Sequence, residues 1–347
     1  MKTPKIAAVQ LGQRGPWVGV QGLGCMGFGD LRDHDHALAR QALHTALDAG
    51  VTLLDTADVY GSGAGETFLA PFIRAHRDEI VVGTKFGRVR RGADDPARRP
   101  IRNDRVYITQ AVEHSLRRLG VDVIDVYYMH RRNPRVPISE SVGAMAELVV
   151  QGKVRHLGLC EVSGPELRAA HAVHPITAVQ SEWSLFCRDV EDSLVPAAAD
   201  LGVAVVPYSP LGRGFLTGLF SDASTDLATD DYRNHHPRLT GDNARANAAL
   251  LTPLRAIASA RGITPGQVAL AWVQHRAAAH RLSAVVPIPG TRRASRVTEN
   301  TQATRITLSP TEMTLLEPLA GQVQGDRFTS ASHRPPSLEN NPTRAPG

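Results

Sequence analysis

The chain has 347 residues, of which 42% are hydrophobic, 21% charged and only 5% aromatic, with a net charge of +5. That apolar share supports a large core and excludes wholesale disorder, and no apolar run approaches the roughly 18 residues that a membrane span needs. Three cysteines, Cys25, Cys160 and Cys187, are odd in number and far apart, which argues against a disulfide framework or zinc knuckle and for a reducing, cytoplasmic setting without a structural metal.

From the N-terminus, KIAAVQL, QRGP and WVGV read as a hairpin turning at Gly15-Pro16. Residues 18–21 read as a first core strand, and the GLGCMG that follows at 22–27 matches G-x-G-x-x-G literally. A dinucleotide fingerprint needs its last glycine inside a helix packed on the strand. Here FGDLRDHD intervenes before helical periodicity begins, so the glycines are read as a strand-end turn. Asp35 is placed to cap the next helix, in which Leu38, Ala42, Ala46 and Ala39, Leu43, Leu47 recur at helical spacing, and Gly50 supplies a left-handed stop.

The alternation then becomes regular. VTLLDTA (51–57), IVVGTK (80–85), VIDVYYMH (123–130), VRHLGL, TAVQSE, VAVVPYS and AVVPIPG (284–290) are short apolar runs, as expected of strands buried on both faces. Helical segments separate them: GETFLAPFIRAH, then 108–119, 139–151, 164–174, 191–201, 243–261 and 265–275, with a short helix from Arg293. Eight strands each followed by a helix predict an α/β fold, a closed (β/α)8 TIM barrel with an N-terminal β-hairpin and long loops at its C-terminal face; an open doubly wound sheet is the alternative. The barrel is expected over 1–325 as a single domain, with a loosely held tail over 326–347, polarity rising already from Gln322. The polar, aperiodic stretch 221–242 reads as an inserted lid. Six arginines crowd residues 88–102, with no aromatic among them, which excludes a stacking platform for nucleic acid.

In such a barrel chemistry sits on the loops after the strands. Three adjacent, otherwise apolar strands end in polar residues: LLDTADVYG gives Asp55, Asp58 and Tyr60, GTK gives Lys85, and YYMH gives His130. Each alone is unremarkable, but together they make chemical sense. An ammonium stabilises a phenolate and lowers the phenol's pKa, Asp55 holds the ammonium, and His130 donates to the same carbonyl oxygen that the phenol protonates. A source of electrons is missing, because side chains do not supply hydride.

DTADVYG, GTK, YYMH, GKVRHLGLCEVS, VVPYSPLGRGFLTG and VPIPGTRRASRVTEN together resemble the aldo-keto reductases, most nearly the branch resembling pyridoxal and perakine reductases, from about Val18 to Leu319. The resemblance implies an eight-stranded barrel that reduces aldehydes or ketones to alcohols with NADPH, Tyr60 being the general acid, Lys85 and Asp55 tuning it and His130 orienting the substrate. It also implies that Gln180, Cys160 and Glu161 hold the nicotinamide carboxamide, where the family often has Ser-Asn at the last two positions. Tyr208 is then expected to stack on the nicotinamide, and Ser209, Pro210, Leu211, Gly212 and Gly214 to follow the pyrophosphate. Met26, Gly27, Ile288 and Gly290 line the same cofactor groove, Thr291, Arg292 and Arg296 fit the 2′-phosphate, and Glu299 and Asn300 reach the adenine. The arginines have independent support, since PGTRR at a helix start offers amides and guanidinium groups to an anion.

Met26, Phe86, Arg131, Trp183 and Phe186 are expected around a small-molecule carbonyl substrate. No nucleic-acid or membrane partner is expected, and a monomer and a homo-oligomer are both open. Two other readings stay open at this point: a Schiff-base lyase using Lys85, and an NADPH-binding regulatory or redox-sensing subunit with little turnover.

Overall fold

The structure, a computed structural model, describes residues 4–32, 35–89 and 100–328. The first two strands, β1 (Ala8–Gln10) and β2 (Trp17–Gly19), form the expected antiparallel hairpin, with Gln10 opposite Trp17. Seven further strands make one parallel sheet in chain order: β3 (Leu23–Gly24), β4 (Leu53–Asp55), β5 (Val81–Phe86), β6 (Ile124–Met129), β7 (Val154–Cys160), β8 (Ile176–Glu182) and β9 (Ala204–Tyr208). The segment 284–290 closes the ring as an eighth stave. Val205 of β9 exchanges backbone bonds with it on one side (Val205 N–H to Ala284 O 3.0 Å, Val286 N–H to Val205 O 3.0 Å). On the other side Gly22 N–H reaches Pro287 O at 2.9 Å, and Gly24 bridges Gly290. Pro287 and Pro289 have no N–H to give, so these two positions of the stave can only accept.

Between the strands run α1 (His36–Asp48), α2 (Ala64–Ala75), α3 (Arg105–Leu119), α4 (Ile138–Val150), α5 (Gly164–Val173) and α6 (Leu194–Leu201). The longer connection after β9 holds α7 (Ala223–Asp226), α8 (Gly241–Ala249), α9 (Thr252–Arg261) and α10 (Pro265–Ala279), and the chain continues through α11 (Ala294–Gln302), α12 (Pro310–Leu316) and α13 (Leu319–Gln322). Among the described residues no helix is long and apolar enough to cross a membrane.

The core divides in two, as strand parity requires. Leu53, Val126, Tyr128, Cys160, Ala178, Ala204, Val206, Val286 and Ile288 point into the barrel, and Leu11 and Val18 of the hairpin join them from below as a plug. The alternate strand residues, among them Leu54, Val82, Tyr127, Met129 and Val179, pack outward against the helices. Gly158 faces the Tyr128 ring so closely that a methyl group there would lie 2.2 Å from it. The large ring on one strand is accommodated by a missing side chain on the next.

Several expectations are corrected in detail. The first barrel strand is Leu23–Gly24, not residues 18–21; Val18 belongs to the hairpin. The helix expected over 243–261 is two helices, because Pro253 lacks the N–H needed to continue α8. Asp35 makes no side-chain cap; its carboxylate instead accepts from Arg292 at 3.4 Å. The stretch 221–242 is not structureless, since it contains α7 and a 3-10 turn at Tyr232–His235. The tail is held through Phe328, with Arg327 only 3% exposed. Residues 329–347, and 90–99 of the arginine-rich loop, lie outside the described residues.

Candidate active site at the C-terminal face

Parity builds the site. Inward-pointing residues recur every second position, so inward residues near the C-terminal end of each strand form a ring at the barrel mouth. These residues are Asp55 on β4, Lys85 on β5, Cys160 on β7, Gln180 on β8 and Tyr208 on β9, with His130 one step past β6. Lys85 Nζ donates to Asp55 Oδ2 at 2.5 Å and to the Thr56 carbonyl at 2.7 Å, and both side chains are almost fully buried. Gln180 Nε2 donates to the other oxygen, Asp55 Oδ1, at 2.5 Å.

Tyr60 comes from the loop after β4 and is aimed by backbone contacts. The Asp58 amide extends the ladder to Lys85 O at 3.1 Å, and the Tyr60 amide turns back to Ala57 O. Gly61, at φ +56°, then lies backbone to backbone against Gly29, where a methyl group on either would sit 2.5 Å or less from the other segment. Gly29 follows the GLGCMG stretch, and close approach to the tyrosine loop is what it serves; nothing here is a dinucleotide fingerprint. Tyr60 ends with its ring centroid 5.2 Å from Lys85 Nζ and 6.0 Å from the His130 ring, perpendicular to it. The four residues expected to cooperate are therefore brought together.

Burial decides their charge states. It pushes the Tyr60 phenol above its ordinary value, and the Lys85 ammonium pulls back only part of that rise. The expected lowering is thus corrected: in this site the phenol keeps its proton at neutral pH. Burial alone would depress Lys85, but the carboxylate of Asp55, with Tyr60, holds its ammonium above the usual range. His130 is pushed well below the usual imidazole range by burial and then by Lys85 and Arg131. It is neutral, with one N–H to give, and its Nδ1 has no partner among the described residues. Asp58, buried beside Glu66, is pushed up to about 8, and its Oδ1 has no hydrogen-bond partner among the described residues.

Beyond this group stands a second, charged one. Glu161, at φ +54°, follows β7, Ser209 (φ +47°) follows β9 and Arg213 (φ +57°) follows Gly212. Such conformations cost about 1–3 kcal/mol each in non-glycine residues and cluster where surroundings enforce them. Arg327 Nη2 donates to Glu161 Oε1 at 2.5 Å and to the Tyr208 hydroxyl at 3.0 Å, and its Nε donates to Glu182 Oε2 at 3.1 Å. Arg213 donates to Ser209 Oγ at 3.1 Å and pairs with Glu182 at 3.5 Å. Burial would raise both acids. Arg327 and Arg131 nevertheless hold Glu161 low, and Arg213 and Arg327 hold Glu182 at about 2.

The remaining expected residues fall into three groups. Met26 (47% exposed) and Gly27 lie open on the mouth, with the Arg292 side chain passing over Gly27. Ile288 and Gly290 belong to the closing stave, Thr291 accepts the Arg293 amide, and Arg296 and Asn300 lie on α11. Pro210, Leu211, Gly212 and Gly214 form the turn after β9, tied by Gly212 N–H to Ser209 O. Glu299 already accepts from Thr264 at 2.7 Å. Arg131 donates to the His130 carbonyl.

Phe86 and Trp183 are corrected as substrate contacts. Phe86 has outward parity and stacks on Tyr127, and Trp183 is fully buried in the helix-side core with its indole N–H on Glu191. Phe186 belongs to the same layer.

Arg327, Glu182 and Arg213 escape a reading by motif. Arg327 is one arginine in a polar tail, and its partners lie 166 and 145 residues away. Glu182 carried a usable signal: it is the next inward position after Gln180 in TAVQSE.

A parallel barrel whose mouth gathers a buried Lys-Asp pair, a protonated tyrosine and a neutral histidine defines a barrel oxidoreductase. A sequence model described as the aldo/keto reductase family matches residues 22–320, and the chain belongs to that family. Solved structures agree. The glycerol dehydrogenase of Gluconobacter oxydans is 26% identical, with 92% of this chain and 97% of that one covered and a TM-score of 0.78. A thermostable aldo-keto reductase solved with the inhibitor epalrestat is 27% identical over 90% and 100% of the two chains, with a TM-score of 0.70. An aldo/keto reductase from Klebsiella pneumoniae, solved with NADP and acetate, is 27% identical over 92% and 97%, with a TM-score of 0.67.

Proposed function

We propose that the protein reduces a small aldehyde or ketone to the alcohol with NADPH, Tyr60 acting as the general acid. The observation that carries this reading is the convergence of Tyr60, Lys85 and His130 on one point at the barrel mouth, with Asp55 behind the lysine. The residues present also fit a nicotinamide dinucleotide phosphate. Arg292 passes over the open Gly27, Arg296 lies on the first turn of α11, Tyr208 stands at the end of β9, and the turn 209–214 carries two glycines. A pair of guanidinium groups at a helix start favours a phosphate, hence NADPH over NADH. The NADP of the Klebsiella pneumoniae structure is consistent with that choice.

Bound NADPH supplies the hydride for the carbonyl carbon. The neutral His130 imidazole donates to the carbonyl oxygen and orients it, and Tyr60 gives that oxygen its proton. Lys85 stabilises the phenolate left behind, and Asp55 keeps the ammonium in place until solvent returns the proton. The raised Tyr60 pKa suits this direction, because the acid form dominates through neutral pH.

Tyr60→Phe removes the proton donor and keeps the ring. We expect turnover to fall by about 10²–10⁴-fold while NADPH still quenches the protein fluorescence. Wild-type turnover in that variant, measured by NADPH oxidation against a panel of aldehydes and ketones, overturns the assignment. Absence of turnover on every carbonyl with tight NADPH retention would favour a regulatory subunit, and borohydride trapping of a carbonyl compound on Lys85 would favour a lyase.

A further inference from the structure

We infer that Arg327 is a positioning residue for the cofactor: by gripping Glu161, Glu182 and Tyr208 at once, it completes the seat for the nicotinamide carboxamide from the C-terminal segment. This rests on the NADPH-dependent reading above. The argument begins with Glu161. Where the family often has an uncharged asparagine, this chain has a carboxylate, almost fully buried and in a strained left-handed conformation. An isolated carboxylate there would be left uncompensated, and an acid that took up a proton would change from acceptor to donor.

The Arg327 fork answers both problems. One nitrogen meets Glu161 and the Tyr208 hydroxyl, another meets Glu182, and the guanidinium itself is only 3% exposed. Glu161 stays ionised, so it can only accept, and the carboxamide must turn its NH2 toward it. Tyr208, tied to the same fork, is fixed at its hydroxyl. The other groups facing Glu161 are Arg131, whose charge also favours the carboxylate, Cys160 beside it, and the Glu182 amide, which donates to Oε1 at 3.1 Å. Arg213 keeps Glu182 paired if Arg327 is lost.

The test compares wild type, R327A, R327K, E161N and R327A/E161N, reading NADPH affinity by fluorescence quenching, kcat at saturating NADPH, and thermal midpoint. We expect R327A to weaken NADPH binding by roughly tenfold or more above pH 7 and to make it pH-dependent, with kcat at saturation falling much less. R327K should fall between R327A and wild type, because an ammonium keeps the charge and loses the fork. The double variant R327A/E161N should regain affinity within about threefold, since an amide needs no counter-charge. NADPH affinity in R327A equal to wild type overturns the inference, as does a folded double variant no better than R327A. Should R327A fail to fold, R327K decides, and wild-type affinity there counts against the inference. Failure of the wild-type protein to bind NADPH would instead sink the underlying functional reading.

Discussion

At the scale of single residues, the site works by keeping protons in unusual places. Asp58 is the clearest case outside the proposed proton transfer. Burial raises its carboxyl to about 8, against an ordinary value near 4. An acid raised in the folded state binds a proton that the unfolded chain has released, so it makes stability fall as pH rises from about 4 to about 8. Asp58→Asn removes this effect. The two thermal midpoints should differ least at pH 4, and the variant's advantage should grow through pH 8, by up to about 1.4 kcal/mol per pH unit; an advantage that is the same at both pH values would contradict the assignment. The proposed catalytic residues were legible because a charged or aromatic-polar residue ending an apolar strand is conspicuous. Their ionisation was not, since the balance of burial against Lys85 depends on three-dimensional enclosure, which no spacing records.

At the scale of elements, alternation with period two explains both what was read correctly and what was missed. It predicts which strand residues enter the barrel, and with that rule Phe86 and Lys85, neighbours in sequence, go to opposite sides. Assigning Phe86 to the substrate ignored its parity. The same rule makes Gly158 a necessary gap for Tyr128. Gly158→Ala should overpack the barrel interior and lower stability by about 1–3 kcal/mol, visible as a lower urea midpoint with an unchanged slope, and Tyr128→Phe should not relieve it because the clash is with the ring. Helices were legible by their periodicity, and three of them begin with reciprocal capping boxes at Ser163–Glu166, Thr264–Gln267 and Ser309–Glu312. The short first strand was not legible, because two glycine-flanked residues carry too little pattern to be told from the hairpin beside them.

For the molecule as a whole, the fold class was readable from the eight-fold recurrence of strand and helix, whereas the grip of the tail on the mouth was not, because it joins Arg327 to residues 119 to 166 positions earlier. A ligand that binds only the folded protein raises its stability by an amount set by its concentration over Kd, about 2.7 kcal/mol at a hundredfold excess. NADPH should therefore raise the thermal midpoint clearly, and NADH at equal concentration much less, with Arg292→Ser and Arg296→Ser together narrowing the gap; equal shifts by the two nucleotides would argue against a phosphate seat at those arginines.

The proline-bearing eighth stave gives that stabilisation a location. A cylinder closes only at its last stave, and here that stave leads directly into Thr291, Arg292 and the start of α11. On the NADPH reading, an anion clasped at this point would tie the last stave to the start of α11, so that cofactor capture would also tighten the cylinder.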